Sequence, residues 1–203
     1  MDDGTSVSWG RGNGGKLLNA ARLPVSGEGY RIPQRWADRG LNYGTDEMVS
    51  LIAYLGRRMS AEFPGAKLAV ADISPEHGGR SAWHRSHQSG RDVDLLFFAV
   101  DGQGRPVRLE GMPTFQPDGS TKPGVDDAGN PIGVIYFDVE RNWYLVRSLI
   151  ENPVARVQYM FVYDPLKQLL LDHARAMGEP PDIIELASYI LHQPSDSART
   201  VRR

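Results

Sequence analysis

Residues 78–100, GGRSAWHRSHQSGRDVDLLFFAV, constrain this chain more than any other stretch. His84, His87, Asp92 and Asp94 stand here among Arg85, Gly90 and Arg91, and the sequence then changes into a continuous apolar run. The run reads as a buried strand over 92–100. At its start Asp92 and Asp94 share one face, with Val93 and Leu95 on the other. A carboxylate entering a buried strand needs a cation or hydrogen-bond donors. Any fold of this chain must bring such partners to the head of that strand.

A length of 203 residues suits one domain with one sizeable core. Cysteine is absent, which excludes disulfides and thiolate chemistry and leaves imidazole and carboxylate as the ligands for any transition metal. The available histidines are His77, His84, His87, His173 and His192. Lys plus Arg at 23 against Asp plus Glu at 25 argues against a nucleic-acid partner, which needs an excess of basic charge. Gly at 22 and Pro at 14 point to turns and long loops rather than a helical bundle. The chain shows no transmembrane segment and no signal-peptide core at its start.

Residues 1–40 read as an irregular N-terminal arm, anchored through Tyr30 and Trp36. Within it GRGNGGKL (residues 10–17) has the look of a phosphate loop but lacks the Gly-Lys-Ser/Thr ending and a strand before it. Met48, Leu51, Ile52, Leu55, Met59 and Phe63 form one stripe of a helix over 46–63, capped by Thr45 or Asp46 and stopped by Pro64-Gly65. Residues 67–73 read as a strand with Asp72 at its polar end. The excursion over 102–130 is long enough to be a binding loop or flap. A strand over 133–137, a helix over 138–150 and a strand over 155–162 follow. Asp164-Pro165 starts the next helix as N-cap and first residue, with Leu166, Leu169, Leu170 and His173 on its buried side. The last helix covers 181–192, and a polar tail starts at Pro194. This order predicts the α+β class: a single domain with a small antiparallel or mixed central sheet flanked by helices.

The residues at 84–94 admit several readings. A bend at Ser89-Gly90 can bring His87 and Asp94 round one divalent ion, and imidazole with carboxylate suits zinc. Asp92 can then orient a ligand, while His84 can face a substrate carbonyl, a developing oxyanion or an attacking water. A second reading is a polar turn whose histidines bond locally and whose aspartates pair with Arg85 or Arg91. Phosphate or nucleotide binding is the third.

Residues 81–94, SAWHRSHQSGRDVD, resemble the penicillin-insensitive murein endopeptidases, members of the wider group of zinc peptidases that includes the D-Ala-D-Ala and lysostaphin-type enzymes. In that family's SHxxGxDxD core, the histidine and the last aspartate bind zinc. The resemblance therefore implies His87 and Asp94 as metal ligands, with Ser86, Gly90 and Asp92 in support. His84 matches the family's extra active-site histidine and is implied as catalytic. Asp72-Ile73-Ser74, Gly78-Gly79, residues 161–164 and Gln193-Pro194 carry the likeness across 41–197. It implies a murein-endopeptidase-type fold over 41–203 and a zinc-dependent endopeptidase that cleaves peptide cross-links in peptidoglycan. Peptide stems would be its partner, and the periplasm or the exterior its location. The family continues past this proline with an HxxHxH run that supplies the third ligand and a catalytic histidine. Here residues 195–203 read SDSARTVRR, with no histidine after His192. The expectation is a domain incomplete at its C-terminus, lacking one zinc ligand and one catalytic histidine. The alternative is a catalytically impaired peptidoglycan-binding protein, or a structural protein of the same fold.

Overall fold

The computed structural model describes residues 4–125 and 131–194; the tail at 195–203 lies outside the described residues. The chain divides into two compact units, one formed by residues 1–97, 109–112 and 152–155, the other by 98–108, 113–151 and 156–203. The α+β class holds. Among the described residues the strands are short and spread over six small sheets, antiparallel, parallel and mixed. No described helix is long and apolar enough to cross a membrane.

The first unit opens with a hairpin, β1 (Val7–Arg11) against β2 (Gly14–Leu18), where an irregular arm was expected. Gly12-Asn13 makes its turn, and β2 alternates exposed and buried, with Leu17 wholly buried. Its glycines hide that alternation from a hydrophobicity reading. The phosphate-loop-like residues are therefore strand and turn. β3 (Ala21–Arg22) pairs with β6 (Tyr43–Gly44), and β4 (Ser26–Gly27), β5 (Tyr30–Arg31) and β7 (Leu68–Ala69) make a mixed sheet. Tyr30 and Trp36 are both buried, the latter on the short helix α1 (Gln34–Ala37).

α2 (Asp46–Glu62) starts where Thr45 Oγ1 accepts the Met48 amide at 3.3 Å. It buries Val49, Leu51, Ile52, Leu55 and Met59, while Met48 and Phe63 stay half-buried. Gly56 lets the turn at Gly29 approach: a Cβ on Gly29 would stand 1.9 Å from the Gly56 carbonyl oxygen. After β7 the chain runs extended and wholly buried to Ile73. On one side Val70 donates to the Arg31 carbonyl. On the other, Ala71 donates to Asp94, Asp94 to Asp72 and Leu96 to Ala69, around an antiparallel bridge between Val70 and Leu95. Regular strand is thus confined to β7 and, further on, β8 (Ala99–Val100), with this bridge between them.

In the second unit β12 (Tyr136–Phe137), β8 and β9 (Pro106–Val107) form an antiparallel sheet. The excursion after Asp101 is structured: Asp101 accepts the Gln103 and Arg105 amides, Phe115 bridges Thr121, and β10 (Gly124–Val125) pairs with β11 (Pro131–Ile132). Residues 126–130 lie outside the described residues. α3 (Val139–Glu151) joins β8 through the buried Asn142, whose amide donates to the Phe98 and Asp138 carbonyls and whose Oδ1 accepts the Phe98 amide. β13 (Met160–Phe161) is much shorter than the strand expected over 155–162.

α4 (Asp164–Ala176) begins one residue earlier than the Asp-Pro pair implied, with Tyr163 in the capping position and the Asp164 amide donating to Gln193 Oε1 at 2.6 Å. α5 (Pro181–Ile190) stops short of residue 192 because β14 (Leu191–His192) pairs in parallel with β13. That pairing draws the backbone of His192 into a strand rather than a helix end.

Candidate metal centre

The buried segment 69–73 is the spine from which the site hangs. Asp94 is fixed to it by backbone hydrogen bonds to Ala71 and Asp72. His87 is fixed to it by a side chain: Nδ1 lies 2.8 Å from the Ile73 carbonyl oxygen. A carbonyl only accepts, so Nδ1 carries the proton, and Nε2 of the neutral ring holds the lone pair a metal needs. His87 Nε2 faces Asp94 Oδ1 at 3.4 Å. Donor atoms sharing one four-coordinate zinc at ordinary bond lengths stand roughly 3.3 Å apart. The pair is already spaced for one ion.

His84 stands beside them, its ring centroid 4.3 Å from that of His87 and its Nε2 3.9 Å from Asp94 Oδ2. One ligand atom from each of His84, His87 and Asp94 can be chosen so that all lie within 4.8 Å of one another. Asp72 holds His84 from behind. Its Oδ2 accepts from His84 Nε2 at 2.7 Å and from the Arg39 guanidinium at 2.5 Å, while its side chain is 1% exposed. A carboxylate paired in this way places the His84 proton on Nε2, which leaves Nδ1 of the neutral ring with the lone pair. Asp72 Oδ1 is buried and finds no partner among the described residues.

The loop carrying both histidines is braced by the N-terminal hairpin. Gly79 donates to Gly15, Gln88 to Gly12, and Leu17 to His77, while the Ser8 hydroxyl donates to the Ser89 carbonyl. Arg91 donates to the Gly10 carbonyl rather than pairing with an aspartate as the polar-turn reading expected. Asp92 Oδ2 accepts the His87 amide at 3.3 Å. Gly90 lies at φ +71°, with Leu17 and Gly44 where a Cβ would stand. Ser86 is exposed in the same loop. His87 itself has φ +60°, rare for a residue with a side chain and a form of strain often stored at functional sites.

Proton affinities follow the geometry. Burial pulls the His87 pKa down, but its hydrogen bond to Asp94, the Asp94 charge, the Ile73 carbonyl and the Asp92 charge outweigh it, so the imidazole titrates above its ordinary value. Burial raises the Asp94 pKa, and the hydrogen bond and charge of His87, with His84 and Arg39, bring it below the ordinary carboxylate value.

A family model for penicillin-insensitive murein endopeptidases matches residues 8–176. The chain belongs to that family. Among its relatives, penicillin-insensitive murein endopeptidases of Haemophilus influenzae and Escherichia coli are 35% identical over 95 residues and 32% identical over 94. One from Klebsiella pneumoniae is 31% identical over 94 residues. Each match covers 46% of this chain and about a third of the relative (32%, 33% and 33%). The family match begins inside the hairpin, in keeping with its part in bracing the site.

For this murein endopeptidase family member, one expectation is overturned. A third metal donor and a second site histidine were expected to be missing, because the sequence was searched for them beyond Pro194. His84, His87 and Asp94 form a complete three-residue cluster of metal-binding type. The third candidate donor comes from the same loop, where the turn at 84–87 brings the two rings to a centroid distance of 4.3 Å at a tilt of 32°. Spacing revealed the histidines, but it did not reveal that they share one centre. Arg39 was missed altogether: it lies 33 positions from Asp72, outside any motif. His77 is exposed, while His173 and His192 lie on α4 and β14.

Proposed function

We propose that this chain is a zinc-dependent endopeptidase that cleaves peptide cross-links in peptidoglycan, acting in the periplasm or outside the cell. The observation that carries the reading is the cluster of His84, His87 and Asp94 in a member of the murein endopeptidase family. Two imidazoles and a carboxylate are a donor set zinc favours, leaving a position open for substrate or water. When bound, zinc would supply Lewis acidity, polarising the scissile carbonyl and making water a better nucleophile.

The chain's own residues divide the remaining work. His87 presents Nε2 because Ile73 holds the proton on Nδ1. Asp94 adds negative charge and, through its backbone, ties the centre to the buried spine. Asp92 and Gly90 set the turn between them, and Ser86 leads into it. His84, the catalytic member, keeps a proton at Nε2 against Asp72, so its free Nδ1 can take a proton from the attacking water and then donate to charge developing on the carbonyl oxygen. It also stands where a third metal donor is needed. Measuring zinc affinity and turnover for His84→Ala separates these duties. A loss of affinity of about tenfold or more marks a ligand, and lost turnover at unchanged affinity marks a charge-stabilising group.

The test of the whole reading is zinc content together with release of muropeptides from cross-linked sacculi, for the wild type and for His87→Ala. The wild type should carry about one zinc and release product, and the variant should do neither. Full activity in His87→Ala would sink the assignment.

A further inference from the structure

The loop that carries His84 also presents Arg80, Trp83 and Arg85 to solvent, Trp83 at 53% exposure. An exposed indole usually turns freely, but this one is held. The Arg39 guanidinium carbon lies 4.0 Å from the centre of its ring, and Arg39 is anchored on the buried Asp72. The Ser81 hydroxyl accepts the backbone amides of both Trp83 and His84, fixing the turn between them. Asp72 also holds His84, so one buried carboxylate sets the positions of the site histidine and, through Arg39, of the indole next to it. One face of the indole is covered by this cation, and the ring is otherwise largely open. The side chains of Arg80 and Arg85 make no hydrogen bond or ion pair among the described residues. Holding an aromatic surface and two unspent cations in solvent adds little to folding, because the surface stays wet and the charges unpaired. Such a surface is suited to a ligand with both apolar carbon and negative charge.

We propose that Trp83, with Arg80 and Arg85, forms a substrate-positioning lip beside the metal centre. The indole packs against aliphatic carbon of a murein peptide stem, and the two guanidinium groups receive the stem's free carboxylates. The inference rests on the peptidoglycan reading above and adds residues that neither bind metal nor carry out the chemistry. Because the stem is placed before reaction, the lip acts mainly on binding, so its loss raises KM more than it lowers kcat.

The experiment compares the wild type with Trp83→Ala, Trp83→Phe and the double variant Arg80→Gln/Arg85→Gln. All these positions are exposed, and zinc affinity and the thermal midpoint report that the fold is intact. The readouts are co-sedimentation with purified sacculi and the kcat and KM for a soluble cross-linked muropeptide. Trp83→Ala should bind sacculi about three- to tenfold more weakly and raise KM by the same factor, with kcat within about twofold and zinc affinity unchanged. Trp83→Phe should recover most of the loss. The double variant should bind more weakly at low salt and lose that difference at high salt. Wild-type binding and KM in Trp83→Ala and in the double variant, with the wild type active, would overturn the lip and leave the peptidase reading intact. A wild type that neither binds nor cleaves murein would overturn that reading and the lip with it.

Discussion

His87 joins two demands that oppose each other: a backbone at φ +60° and an imidazole held from both ends. Asn tolerates that backbone better than a β-branched residue does. We therefore predict that metal-free His87→Asn loses only about 1–2 kcal/mol of stability and His87→Val loses more, while both lose the metal. Urea denaturation checks the order, and equal losses would remove backbone conformation as the cause. Metal binding should also depend on pH. His87 binds its proton more tightly than a free histidine, and that proton must leave before Nε2 can coordinate, whereas Asp94 is ionised well into the acid range. Zinc affinity should therefore rise with pH until His87 is neutral, by about tenfold per unit for one displaced proton. Competition with a chelator at pH 6 and pH 7.5, values chosen as roughly bracketing the imidazole range, reads the slope. A flat profile would mean that no proton competes with the metal for His87 Nε2.

At the scale of elements, the helices were the most legible part of the sequence. α2 has a side-chain cap, an apolar stripe and a Pro-Gly stop, and all three local signals agree with its tertiary role. α4 was legible as a helix, although the Asp-Pro pair placed its cap one residue late. The strands were less legible because most are two residues long and take their partners from remote segments, as β5 does from β7. No window over either sequence contains that information. Asn142 illustrates the same limit: a polar residue on the buried side of α3 interrupts the apolar stripe, yet it makes three hydrogen bonds, two joining the helix to Phe98 beside β8 and one to Asp138 before the helix. Replacing it with Ala should cost about 1–3 kcal/mol, since the Phe98 amide loses its acceptor and the Phe98 carbonyl keeps only the Asp138 amide. Chemical denaturation measures this, and a loss below about 1 kcal/mol would show that those groups find water instead.

For the whole molecule, a metal that binds only the folded chain must stabilise it by mass action. At free zinc one hundred times Kd the gain is about 2.7 kcal/mol, and it should vanish in His87→Asn and on chelation. Thermal shift with and without zinc is the measurement; a wild type whose midpoint does not move would contradict a preformed centre. The sequence displayed all three members of that centre within eleven positions, but it could not show Asp72 and Arg39 behind them or the hairpin beneath. The hairpin gives the site a history as well as a shape. The Ser8–Ser89 and Arg91–Gly10 hydrogen bonds each join residues 81 positions apart. A growing chain cannot close those contacts until Ser89 and Arg91 have been made, and loop closure of that span is entropically slow compared with winding α2. The histidine loop should therefore be among the last parts of its unit to order during folding, giving a nascent chain its helix well before His84, His87 and Asp94 come together.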